Sequence, residues 1–137
     1  ATTAAGRILV VDDQAANLRV VSVLLRRQGY EVITAASGQD ALELALAQPP
    51  DLFLLDMMMP GMDGFELLAA LREHPPLRKA PAVFLTAAHD REALLRAFDA
   101  GAVDYVTKPF MPEELLARVG AHIGLKLTRD RLERVAS

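Results

Sequence analysis

Three carboxylates, one ammonium and one hydroxyl stand at matching places in this sequence. Each closes a short apolar run: Arg7-Ile8-Leu9-Val10-Val11 ends in Asp12-Asp13, Leu52-Phe53-Leu54-Leu55 in Asp56, and Ala82-Val83-Phe84-Leu85 in Thr86. The run Ala102-Val103-Asp104-Tyr105-Val106 is followed by Thr107-Lys108-Pro109-Phe110. If the runs are parallel strands of one sheet, these groups share its carboxyl edge, where open α/β sheets place their ligands. Three neighbouring carboxylates repel one another, and a divalent cation relieves the repulsion. All-oxygen ligation suits Mg²⁺, with Mn²⁺ as the alternative. Asp13 and Asp56 are the expected direct ligands, Asp12 binds directly or through water, and the Met58 carbonyl is a candidate backbone ligand. A carboxylate is also a competent nucleophile toward a phosphoryl group. Phosphoryl transfer asks for position and charge neutralisation. The cation can cover one phosphoryl oxygen and Lys108 a second, and the Thr86 hydroxyl can bond to a third. Small Ala87 leaves the approach open.

Taken singly, each residue has a plainer use. Asp12-Asp13 suits any helix N-terminus, Thr86 an ordinary strand end, Lys108 an exposed surface and Tyr105 a core position. The run Met57-Met58-Met59 with Met62 reads as loop and core packing, because Mg²⁺ prefers oxygen to thioether. His74, His89 and His122 are scattered along the chain; His89, just after Thr86, could join two carboxylates in a transition-metal site, a reading that ligand type and spacing disfavour. The combination of groups carries the functional reading.

The elements that must position these groups can be read from pattern. The apolar strand runs alternate with helical periodicity. Leu18, Val21, Leu24 and Leu25 mark a first helix that stops at Gly29. Tyr30–Ala35 alternates as a second strand. Ser37 caps a helix through residues 39–46, and Pro49-Pro50 breaks it. A turn built from Pro60, Gly61, Asp63 and Gly64 leads into a helix over Phe65–Arg72, which ends before Pro75-Pro76. Asp90 is a candidate cap for a helix running to Ala100, with Gly101 as its stop. Pro112 opens the last helix, with Glu113 and Glu114 at its positive end. Five strands alternating with five helices predict a doubly wound α/β fold, a parallel sheet with helices on both faces.

Composition narrows the function classes. The chain has 137 residues, 52% of them hydrophobic, and a formal charge of −3. That is one domain, with no basic surface for nucleic acid and none for an anionic membrane. There is no cysteine, which excludes disulfides and thiolate metal sites. No apolar run is long enough to span a bilayer, and the first residues lack the pattern of a signal peptide. The cytoplasm is the expected compartment. The missing initiator Met suggests a processed product or, in preference, a piece excised from a longer chain. The phosphate-binding and hydrolase motifs G-x-x-x-x-G-K-[ST], G-x-G-x-x-G and G-x-S-x-G are absent from the sequence.

Four segments in order resemble the receiver domain of two-component response regulators. They are Val10-Val11-Asp12-Asp13, Leu55-Asp56-Met57-Met58-Met59-Pro60-Gly61-Met62-Asp63-Gly64, Leu85-Thr86-Ala87 and Asp104 through Phe110. The resemblance runs from about Arg7 to Leu125. It implies a flavodoxin-like (βα)5 fold with strand order 2-1-3-4-5. It implies that Asp56 accepts a phosphoryl group from a histidine kinase or a His-phosphotransfer domain, and that Asp12 and Asp13 form the metal-binding pair. It implies that Thr86 and Tyr105 form a switch, Thr86 moving toward the phosphoryl group as Tyr105 swings inward, and that the Lys108–Pro109 peptide is cis. The reporting face would be the fourth helix, the fifth strand and the last helix, acting on an output or kinase domain, with homodimerisation through it on phosphorylation. The chain would catalyse only its own phosphorylation and dephosphorylation.

Two other readings compete. A small-molecule aspartyl phosphatase often carries a second Asp two residues after its nucleophile, where this chain has Met58. A phosphorylation-independent adaptor would not require the intact set of acids with Thr86 and Lys108. The expected organisation is a tail over residues 1–6, a receiver domain over 7–124 and a helical extension over 125–137. In that extension Lys126–Asp130, Arg129–Glu133 and Asp130–Arg134 are candidate i,i+4 pairs. Leu125 and Leu132 lie a heptad apart, with Leu115 a candidate for the same seam, and the extension would begin a signalling helix to an absent domain.

Overall fold

The computed structural model describes residues 5–87 and 91–136, the last of these by its backbone alone. Strands β1 (Arg7–Val11), β2 (Glu31–Ala35), β3 (Leu52–Asp56), β4 (Ala82–Thr86) and β5 (Asp104–Thr107) pair in parallel, in the order β2-β1-β3-β4-β5. Helices α1 (Ala15–Arg27), α2 (Gly38–Ala47), α3 (Gly64–Arg72), α4 (Arg91–Asp99) and α5 (Pro112–Ala136) connect and cover them. A short 3₁₀ turn over Pro75–Leu77, which periodicity does not reveal, joins α3 to β4. This is the doubly wound, flavodoxin-like arrangement with the expected strand order.

The alternation of each strand builds two cores, one per sheet face. Leu9, Val11, Phe53, Leu55, Ala82 and Phe84 pack toward α2 and α3. Ile8, Val10, Leu52, Leu54, Val83 and Leu85 pack toward α1 and α5, where they meet Val21, Leu25, Leu115, Val119 and Ile123. The central strands β3 and β4 are buried on both faces, which is why their sequences are unbroken apolar runs.

Local signals fix the helix ends. The Ser37 hydroxyl accepts from the Asp40 N–H. Asp63 and Glu66 form a reciprocal capping box at the start of α3, an Asp-x-x-Glu pattern readable in the sequence. Gly29 and Gly101 take φ of +92° and +99° just past α1 and α4. The start of β5 differs from expectation. Ala102 and Val103 belong to the turn that closes α4, the Ala102 N–H bonding back to the Ala97 carbonyl, so the strand begins at Asp104. The expected cap at Asp90 lies outside the described residues, as does His89.

The last helix runs without a break through residue 124 to 136. Lys126 pairs with Asp130 at 2.5 Å, as expected, and also with Asp51 at 2.9 Å. Glu133 reaches Lys79, not Arg129, because α5 passes the amino edge of the sheet, where tertiary neighbours compete with helical ones. Leu115 is buried in the core and does not share a seam with the exposed Leu125 and Leu132. No helix among the described residues is long and apolar enough to cross a membrane.

Two glycines make opposite predictions. A Cβ on Gly64 would lie 2.3 Å from the Asp56 carbonyl oxygen and 2.9 Å from the Phe84 ring, whereas one on Gly124 meets nothing within 4 Å. Gly64→Ala should therefore cost at least about 2 kcal/mol, since backbone must move. Gly124→Ala should gain about 0.5–1 kcal/mol from helix propensity. Urea midpoints of the two variants against the parent chain check both signs.

Candidate functional site

The carboxyl ends of β1, β3 and β4 and the segment after β5 meet at one edge. The Lys108 Nζ lies 3.0 Å from Asp12 Oδ2 and 3.2 Å from Asp56 Oδ1. The backbone carries it there: the Lys108 N–H donates to the Thr86 carbonyl at 2.8 Å, and the Lys108–Pro109 peptide is cis, as the resemblance implied. Asp12, Asp56 and Thr86 are buried, while Asp13 is exposed at the rim. One carboxylate oxygen from each of Asp12, Asp13 and Asp56 falls within 4.8 Å of the others.

Asp12 is held firmly. Its Oδ1 accepts from the Gln14 N–H at 2.9 Å, an Asx turn at the entry to α1. Its Oδ2 accepts from Asn17 Nδ2 at 3.2 Å as well as from Lys108. Sequence reasoning missed Gln14 and Asn17. The Asp-x-Gln spacing at a helix entry signals the first, and only the folded helix brings the second into reach. Asp56 Oδ1 also accepts a long bond from the Met58 N–H, at 3.4 Å. The Gly64 N–H occupies the Met57 carbonyl at 3.1 Å. Met58 itself is exposed, whereas Met57 and Met59 are buried in the core.

The electrostatics reflect this crowding. Burial and the neighbouring Asp12 charge push the Asp56 carboxyl up to about 6, against the opposing pull of Lys108. Burial lowers Lys108, but its bond to Asp12 and the charges of Asp56 and Asp12 outweigh that and hold the ammonium above its ordinary range. Three carboxylates against one ammonium leave an excess of negative charge that a divalent cation would balance. The donors are all oxygen, so the cluster could hold a hard metal ion.

Tyr105 stands away from these carboxylates, half-buried at the sheet edge beside Phe98 of α4. In register it pairs with Phe84, so Thr86 lies diagonal to it on the same sheet face. His122, on α5, bonds to Asp104 at 3.0 Å and takes no part in the carboxylate cluster.

The raised Asp56 pKa carries a stability consequence. Without divalent cations, the folded chain keeps the Asp56 proton to higher pH than the unfolded chain does. Stability contributed by this group therefore falls as pH rises from about 4 to about 6. Asp56→Asn should stabilise the cation-free protein at pH 7 by about 1–3 kcal/mol. That gain should shrink to about 0.5 kcal/mol at pH 4, where the folded state is protonated and the unfolded state about half so. Urea unfolding in a chelator at the two pH values measures it.

Comparison with known proteins places the chain as a whole. Residues 8–120 match the family model of the response regulator receiver domain. The chain is 44% identical over 126 residues to the response regulator PleD of Caulobacter vibrioides, covering 92% of this chain and 28% of that protein. It is 41% identical over 126 residues to the transcriptional regulatory protein KdpE of Mycobacterium tuberculosis, again covering 92% of this chain and 54% of its relative. The chain thus spans about half or less of the length of these relatives. The chemotaxis protein CheY4 of Vibrio cholerae superposes with a TM-score of 0.82 at 35% identity, over 88% of this chain and 99% of that one. Sequence, strand order and structural likeness converge, and the chain belongs to the family of two-component response regulator receiver domains.

Proposed function

We propose that Asp56 accepts a phosphoryl group from the phosphohistidine of a histidine kinase or His-phosphotransfer domain. The observation that carries this reading is the buried Asp56 carboxylate, with the Lys108 ammonium 3.2 Å away and two further carboxylates at hand. An Asp56 oxygen attacks phosphorus, the donor's N–P bond breaks, and the imidazole leaves with a proton. The product is an acyl phosphate, and water later cleaves it to restore Asp56.

Each neighbour has a task in this scheme. Asp13, Asp56 and the Met58 carbonyl would hold Mg²⁺ or Mn²⁺, with Asp12 binding directly or through water. When bound, the cation supplies charge neutralisation at one phosphoryl oxygen. Lys108 covers a second oxygen with its ammonium. The Thr86 hydroxyl takes the third, and its movement toward the phosphoryl group opens space for the diagonal Tyr105 ring to turn inward. The surface formed by α4, β5 and α5 would then report the change to an output domain or to a second copy of the chain. Residues 7–124 would form the switching unit, and residues 125–137 the helical link to an output domain. The cytoplasm, where histidine kinases present their phosphohistidine, is the compartment this role requires.

The test is intact mass after incubation with Mg²⁺ and acetyl phosphate as the small donor. The expected result is a single phosphoryl adduct that needs the cation and is absent in Asp56→Asn. Lys108→Ala should slow incorporation by roughly a hundredfold, the loss of one charge-stabilising donor. Equal labelling of Asp56→Asn and the parent chain would overturn the assignment.

A further inference from the structure

Tyr105 lies in the edge strand β5, and strand geometry sets its neighbours. Adjacent side chains point to opposite faces, so Asp104 meets α5 while Tyr105 lies on the α4 side. The Tyr105 ring meets Phe98 edge-on, with centroids 6.2 Å apart and planes at 74°. From α5, Arg118 reaches round the open edge of the sheet and lays its guanidinium 5.8 Å from the centre of the Tyr105 ring. That guanidinium is anchored. Its Nη1 donates to Asp104 Oδ1 at 2.5 Å, and its Nε to Glu114 Oε1 at 3.2 Å. Asp104 Oδ2 bonds in turn to His122 Nε2 at 3.0 Å.

We propose that Arg118 is a positioning residue for the switch. Anchored by Asp104 and Glu114, it holds the Tyr105 ring at the edge between α4 and α5 in the phosphoryl-free state. It thereby sets how readily the site at Asp56 is activated. The proposal rests on the reading of Asp56 as acceptor and of Tyr105 as the moving ring. A ring that turns inward leaves both Phe98 and Arg118. Contacts made in the outward state alone bias the equilibrium against activation, and the phosphoryl group must offset them. A cation over an aromatic face at a partly exposed site biases such an equilibrium about two- to fivefold. The planar, twice-anchored guanidinium suits the task, and a lysine cannot reproduce it.

The experiment uses 3-fluorotyrosine in a Tyr30→Phe background, which leaves Tyr105 as the single tyrosine. Beryllofluoride with constant Mg²⁺ serves as the phosphoryl mimic, and the fluorine resonance is followed by NMR. The parent chain should show one resonance position without the mimic and another at saturation. In Arg118→Met the mimic-free resonance should move toward the saturated position. Half-saturation should then fall at a two- to fivefold lower beryllofluoride concentration. Arg118→Lys should behave like Arg118→Met, and Asp104→Asn, which loosens the anchor, should shift the same way. A merely structural loss would not tighten binding of the mimic. Arg118→Met and Asp104→Asn titrations superimposable on the parent would overturn the clamp alone. A parent resonance indifferent to beryllofluoride and Mg²⁺ would overturn the reading of Tyr105 as the moving ring and the clamp with it, while the intact-mass test of Asp56 decides the acceptor reading separately.

Discussion

The structure depends on keeping like charges together in a place where water is scarce. Asp12 and Asp56 are both buried, and the Asp12 charge adds to burial in raising Asp56. One Lys108 ammonium touches both, and backbone and amide donors around Asp12 add partial compensation. Such an arrangement is costly for stability alone, because buried ions gain little over apolar side chains of the same volume. Its value lies in the unmet demand for positive charge. Under the proposed function, that demand would be met by a cation and by an incoming group whose oxygens need the same donors.

Everything that delivers these groups is backbone. Register places β1, β3 and β4 so that their last residues arrive together, and hydrogen bonds from Met57 to Leu85 and from Lys108 to Thr86 continue the pairing past the strand ends. The apolar runs behind them form a stiff platform. In contrast, α4 buries Ala97 alone among its described residues, with Ala93 half-buried against the same core, Arg96 over Phe65 at 4.1 Å and Phe98 against Tyr105. Under the proposed function, a sheet buried on both faces beside a helix with one fully buried side chain would separate the chemistry from the element that reports it.

The amino-acid sequence disclosed the central strands and the carboxylate cluster, because burial on both faces leaves unbroken apolar runs that halt visibly at polar residues. The strand–helix alternation gave the doubly wound class, while the strand order came from family likeness. It was less clear where a segment answers to partners distant in sequence. The start of β5 moved because the closing turn of α4 claimed Ala102. Glu133 found Lys79 in place of its helical neighbour. Asn17 entered the Asp12 network through helix geometry that no local pattern announces. The Arg118–Tyr105 contact lay beyond local patterns for the same reason: it joins a strand and a helix around a sheet edge.

The length of α5 has a mechanical consequence. An unbroken helix of 25 residues is a rod of about 37 Å. It begins beside the carboxylate edge and is pinned near the opposite edge by Lys126 to Asp51 and by Glu133 to Lys79. Two pins about 10 Å apart along the rod fix its direction as well as its position. The end of α5 therefore leaves the domain along a line set by contacts to the segments that enter β3 and β4, and under the proposed function an output domain would be carried in that fixed direction.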